Sequence, residues 1–99
     1  MTSINERTDV RRRVEEGLGS VGRLRILRIL ASVEYSTQTK YGLEKHTGLS
    51  PVYVRRHLKI LIETGWVKEL KYSPPVYMLN PENLKTRFLV DFFRKINYL

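Results

Sequence analysis

The stretch SPVYVRRHLKILIETG, residues 50–65, sets Val52, Tyr53, Arg55, Arg56 and Lys59 close together with no acidic side chain before Glu63. Side chains of these types recognise rather than react. An arginine fork can grip guanine O6 and N7 with two hydrogen bonds, valine and tyrosine can touch a thymine methyl, and lysine meets a phosphate as a point charge. Groups that make or break bonds are scarce. The chain has two histidines, His46 and His57, and no cysteine, which excludes disulfides, zinc fingers and thiolate metal sensing. No acid pair or Ser/His/Asp set falls on one expected surface, so an enzyme is not expected.

The elements that must position these residues are marked in the sequence. Ser50 is a good N-cap, Pro51 suits the first helical position because its missing N–H needs no partner there, and Gly65 can take the left-handed stop. Val54, Leu58, Leu61 and Ile62 recur at helical spacing as one apolar stripe, which leaves the basic and aromatic residues mostly outside it. Just before, residues 40–47 read as a shorter helix with Leu43 as its core contact, followed by a tight turn at Gly48 and Leu49. Two helices joined in this way, the second basic on its outer face, make a helix-turn-helix signal.

HTGLSPVYVRRHLKILIETGWVKEL resembles the core of small winged-helix transcription regulators of the ArsR and MarR kinds. The shared pattern is a Gly-Leu-Ser turn, a Val, a His-Leu-Lys-x-Leu run and a Gly-aromatic-Val exit, and the likeness extends over residues 20–79. It implies an α+β, mainly α fold: a winged helix-turn-helix with a two-stranded β wing and a C-terminal dimerisation helix. The implied function is sequence-specific binding of double-stranded DNA as a homodimeric transcriptional regulator, with the recognition helix in the major groove and the wing on the backbone or minor groove. Lys40, Tyr41, Ser50, Val52, Tyr53, Arg55, Arg56, Lys59, Lys68, Lys71 and Tyr72 are the candidate DNA contacts. Arg55 and Arg56 lead for base readout, Lys40 and Tyr41 lie where relatives touch phosphates, and His57 is expected to support the helix from inside. Two other readings stay open: a sequence-neutral architectural DNA-binding protein, and a winged helix used to dock an acidic protein partner. With no cysteine and no histidine in the terminal helix, neither a metal nor a cofactor is expected. A small-molecule pocket among Trp66, Phe88 and Phe92 competes with the plainer reading of these aromatics as core, and an effector is left undecided.

Length and charge agree with a single domain bound to a polyanion. Ninety-nine residues suffice for one compact core, and a net charge of +8 favours a partner whose condensed counterions are released on binding. No apolar run approaches the ~20 residues a membrane span needs, and the polar N-terminus is unlike a signal peptide, so a cytoplasmic, nucleoid-associated protein is expected. Residues 1–19 read as an arm or a short helix; Arg11, Arg12 and Arg13 either reach a minor groove or pair with the acids around them. Gly17, Gly19 and Gly22 spell G-x-G-x-x-G, but no strand precedes them and a dinucleotide site is rejected. Gly17 and Gly19 are instead expected to break the chain before the next helix.

The DNA-binding domain spans residues 20–80. It opens with an apolar helix from Ser20 to about Ser32, whose Arg23, Arg25 and Arg28 emerge at the margins as solvated or snorkelling surface. Val33 to Gln38 reads as a loop or short edge strand. Residues 66–72 and 76–79 form a hairpin with Val67 and Leu70 as anchors, turned by Ser73-Pro74-Pro75. Its Lys68, Lys71 and Tyr72 either meet DNA or simply protect an edge. Residues 81–99 form a helix started by Asn80-Pro81-Glu82. Leu84, Phe88, Leu89, Phe92, Phe93, Ile96 and Leu99 cover about half of its circumference, more than one core needs, and a second copy of the chain is expected on the surplus face.

Overall fold

The computed structural model describes residues 4–32 and 36–99. The order is helix α1 (Ile4–Leu18), α2 (Val21–Ser32), α3 (Lys40–Thr47), α4 (Pro51–Glu63), strand β1 (Val67–Leu70), β2 (Val76–Leu79) and helix α5 (Leu84–Lys95).

Helices α3 and α4 begin and end on local chemistry. The Thr39 hydroxyl accepts the Gly42 N–H at 3.0 Å, and the Ser50 hydroxyl accepts the Tyr53 N–H at 3.4 Å. Gly48 at φ 75° and Gly65 at φ 85° occupy the left-handed region, which suits a residue without Cβ. Leu43 of α3 and Val54, Leu58 and Leu61 of α4 share one core with Ile26, Leu27 and Leu30 of α2. Each such side chain withdrawn from water contributes roughly 1.5–3 kcal/mol, and together they hold α4 at a set angle to α2 and α3. Val21, at the start of the otherwise apolar α2, stays 67% exposed.

The hairpin closes the core from the other side. β1 and β2 are antiparallel, with Val67 opposite Leu79 and Leu70 opposite Val76, and Val67, Tyr77 and Leu79 are buried. Leu70, expected as an anchor beside Val67, is only half-buried, because strand alternation puts Val67 and Glu69, opposite Leu79 and Tyr77, on the core face and Leu70 on the other. The first strand stops at Leu70 rather than running to Tyr72, since the Tyr72 N–H bonds the Leu70 carbonyl at 2.9 Å and turns the chain out of the ladder. Gln38 and Tyr77 exchange N–H···O bonds of 2.9 and 2.7 Å. The expected edge strand is thus one bridge at Gln38, and its residues 33–35 lie outside the described residues.

Both ends of the chain differ from the local reading. From Ile4 the first segment is a 15-residue helix, and Gly17 lies inside it, buried, instead of breaking it. A Cβ at Gly17 would overlap Trp66 Nε1; the glycine lets α1 close onto that ring. At the other end, Asn80 Oδ1 accepts the Glu82 N–H at 3.1 Å in a tight turn, and Asn83 caps α5 by accepting the Lys85 N–H at 3.1 Å. The helix therefore starts at Leu84 and not at Pro81. Asn80 is still tied to the hairpin end, its N–H bonded to the Trp66 carbonyl at 3.0 Å. Thr86, Leu89, Val90 and Phe93 form the inward stripe of α5. Leu89 and Phe93, expected at the dimer interface, thus fill the protomer's own core, because i, i+4 spacing puts them on the face that seals it.

Candidate nucleic-acid interface

With Val54, Leu58 and Leu61 turned inward, a period of 3.6 residues turns the remaining positions of α4 outward. Val52 and Tyr53 are 49% and 52% exposed, and Arg55, Arg56 and Lys59 are exposed beside them. The Arg56 guanidinium lies 5.8 Å from the centre of the Tyr53 ring. Among the described residues Arg55 and Lys59 have no carboxylate partner. A cation in that state can meet a phosphate or a base edge without first giving up an ion pair.

Two arginines of α1, Arg12 and Arg13, are in the opposite state. Arg12 lies between Asp9 at 3.1 Å and Glu16 at 3.4 Å, and Arg13 is 2.9 Å from Asp9. The hydrogen bond to Asp9, with the charge of Glu16, raises the Arg12 pKa above its usual value. Of the two readings of this cluster, Arg12 and Arg13 follow the second, pairing with the acids around them on a regular helix.

Between α4, the start of α3 and the hairpin runs an open groove of about 290 Å³, whose charged lining is Lys40, Arg55 and Lys59 with Glu63 and Glu69. The Lys40 ammonium sits 5.9 Å from the centre of the Tyr77 ring. Tyr41 is 67% exposed, with Lys45 5.5 Å from its ring centre. Ser50 is exposed, but its hydroxyl is engaged as the cap. On the hairpin, Tyr72 is exposed and Lys71 reaches no closer than 4.0 Å to Glu69. Lys68 is half-buried and 3.7 Å from Glu82. Lys40, Tyr41, the α4 row, Lys71 and Tyr72 are thus available to a ligand, while Lys68 is partly committed.

Behind α4, His57 packs against α2. Its Nδ1 lies 3.3 Å from Arg23 Nη1, and its ring stacks on Tyr53 with centroids 6.2 Å apart. Burial first, then the charges of Arg23 and Arg56, push the imidazole pKa below its usual value. Arg23, expected as solvated or snorkelling surface, is half-buried, with its guanidinium turned to His57. No local pattern signals this contact, because the two residues are 34 positions apart. Trp66, Phe88 and Phe92 do not line a common pocket. Trp66 is 2% exposed, and its indole N–H donates to the Arg13 carbonyl at 3.1 Å, whereas Phe88 and Phe92 are 70% and 55% exposed. Among the described residues no group of His, Cys, Asp and Glu could hold a metal ion, and no helix is long and apolar enough to cross a membrane.

Residues 20–69, the span from the start of α2 through the capped α3–α4 pair into β1, match the family of bacterial regulatory proteins described as the arsR family. The chain belongs to the ArsR family. No curated protein matches it in sequence. In structure this ArsR-family chain is similar to the transcriptional repressor BigR from Xylella fastidiosa, with 21% identity and a TM-score of 0.73 over 97% of this chain and 96% of that one. It is likewise similar to HlyU from Vibrio cholerae N16961, with 19% identity and a TM-score of 0.77 over 99% and 100%. A third similar structure is the homodimeric winged helix-turn-helix DNA-binding domain of Mb0332 from Mycobacterium bovis, with 19% identity and a TM-score of 0.75 over 97% and 87%. At these identities the likeness establishes the fold, a winged helix-turn-helix in which α3 and α4 are the helix pair and β1–β2 the wing. Family and fold alike are those of transcription regulators.

Proposed function

We propose that this ArsR-family regulator binds specific sequences of double-stranded DNA as a homodimer, α4 entering the major groove and the wing resting on the backbone or in the minor groove. The observation that carries the proposal is the exposed α4 row of Arg55, Arg56 and Lys59, in which Arg55 and Lys59 have no carboxylate partner among the described residues. Arg55 and Arg56 read base edges. Val52 contributes apolar contact to a thymine methyl, and Tyr53 gives either that contact or its hydroxyl to a phosphate. Lys40, Tyr41, Lys59, Lys71 and Tyr72 position the duplex through its backbone.

The dimer forms on the outer face of α5. Leu84, Phe88, Phe92 and Ile96 follow one another at intervals of four, each more than half exposed. Such a stripe on one helix is self-complementary about a two-fold axis, and Leu99 extends it. The homodimeric state of the similar Mb0332 domain supports this arrangement. A two-fold dimer brings two recognition helices onto successive major grooves about 34 Å apart.

Selection from a randomised duplex pool at near-physiological salt, with sequencing of the bound fraction, tests the proposal. An enriched inverted repeat with half-sites about one helical turn apart supports both parts of it. Binding without enrichment replaces specific recognition by architectural binding, and absence of binding replaces it by protein docking.

A further inference from the structure

His57 joins the outer face of α4 to the helix behind it. Arginine stays protonated, so the Arg23 guanidinium donates and His57 Nδ1 accepts across their 3.3 Å. That assigns a neutral imidazole with its proton on Nε2. The ring approaches α2 closely because position 22 is glycine, where a Cβ would stand 2.5 Å from Nε2. In the outward direction the imidazole stacks on Tyr53, at 20° between planes, and Arg56 lies against that same tyrosine. One contiguous row, Arg23, His57, Tyr53 and Arg56, thus runs from α2 to the surface. Arg23 Nε is buried without a partner, so the bond to His57 is the only hydrogen bond of this side chain among the described residues.

We propose that Arg23 and His57 are positioning residues for sequence recognition, holding Tyr53 and Arg56 in the arrangement that meets the bases without touching DNA themselves. The proposal rests on the DNA-binding reading above. Exposed tyrosine and arginine side chains lose rotamer freedom when they engage a base edge, and a ring already stacked on a fixed imidazole lessens that loss. The benefit falls on the correct sequence only, because random DNA is held by phosphates that require no particular orientation of Arg56. The charged groups acting on His57 are Arg23 from α2 and Arg56 from α4, both cationic, and with burial they keep the imidazole neutral near pH 7. When acid protonates it, Nδ1 becomes a donor and the hydrogen bond from Arg23 breaks.

The test compares His57→Asn, whose amide oxygen falls near the place of Nδ1, with His57→Leu, which keeps volume but not the acceptor. Affinities for the selected duplex and for a random duplex are measured from pH 7.5 down through the range in which an NMR titration of the DNA-free protein shows the His57 imidazole protonating. The ratio of the two affinities cancels the general gain in phosphate attraction that acid gives any histidine. His57→Leu is expected to lower the ratio by about 5- to 100-fold, the worth of one base contact, with random-duplex affinity changed less than about twofold. His57→Asn, which restores the acceptor for Arg23 but not the ring under Tyr53, is expected to recover part of the ratio. The wild type loses discrimination over the pH range in which NMR shows His57 protonating, while His57→Asn keeps it. A folded His57→Leu protein with the wild-type ratio overturns the proposal, as do parallel pH profiles of wild type and His57→Asn, which decide the matter if His57→Leu does not fold. A wild-type ratio near one overturns the underlying reading as well, and is seen without any variant.

Discussion

Replacing Gly17 by alanine sets two effects of opposite sign against each other. In an exposed helix interior the change stabilises by up to about 1 kcal/mol, because alanine loses less backbone entropy than glycine. Here the added methyl would overlap Trp66 Nε1 and stand 2.6 and 2.7 Å from Cδ1 and Cε2, far inside the roughly 3.5–4.0 Å of a comfortable contact. The indole is not free to withdraw. Its N–H donates to the Arg13 carbonyl, and the Lys85 ammonium, 4.9 Å from the ring centre, is itself bonded to the Thr64 carbonyl at 2.7 Å. Overpacking costs about 1–3 kcal/mol, and loss of a buried N–H bond costs about 1–3 kcal/mol more. Set against the gain in propensity, the net is a destabilisation of about 1–5 kcal/mol. For a domain of this size it lowers the thermal midpoint by roughly 5–40 °C at fixed protomer concentration. Urea unfolding followed by the fluorescence of the single tryptophan measures it and reports on the ring concerned. A midpoint equal to or above the wild type's, with an unchanged Trp66 spectrum, would refute the argument: α1 would then slide from Trp66 at no cost.

Arg56→Ala is expected to cost about 1–3 kcal/mol on the preferred duplex and to relax specificity at one base pair. Its stability should change by less than about 1 kcal/mol, since in the free protein the guanidinium only packs on the exposed Tyr53 ring; equal weakening on preferred and random duplex counts against base readout. Lys71→Ala should weaken binding to every duplex modestly and flatten the salt dependence by about one unit, which titrations at several salt concentrations measure. Phe92→Glu places a charge on a side chain that is 55% exposed, so the protomer should stay folded and sediment as a monomer. Dimer mass retained by that variant rules out the α5 interface. For His57 the folded pKa lies below the unfolded value of about 6.5, so the unfolded chain binds more protons in that window and stability falls as pH drops from about 6.5 through the folded value. The denaturant midpoint should accordingly decline between pH 7 and 5.5, and decline less in His57→Asn.

Elements that depend on near neighbours were legible in the chain alone. Ser50, Pro51 and Gly65 wrote the ends of α4, and the spacing of Val54, Leu58 and Leu61 chose its inward face, which put the basic row outside. Caps and helical period act over three or four residues, the range a linear reading sees. Residues 4–18 carry no decisive local signal, and Asn80 and Asn83 both write a cap; the bond of the Asn80 N–H to the Trp66 carbonyl keeps Asn80 at the hairpin end, and Asn83 caps α5 three residues on. Tertiary packing decided that Arg23 and Lys68 are committed, which α5 residues fill the core, and which glycines face a ring. Arg23 meets His57 across 34 positions and Trp66 meets Arg13 across 53. Such contacts depend on how closely whole helices approach, and that distance is set by the sum of the packing in the core, which no local period encodes.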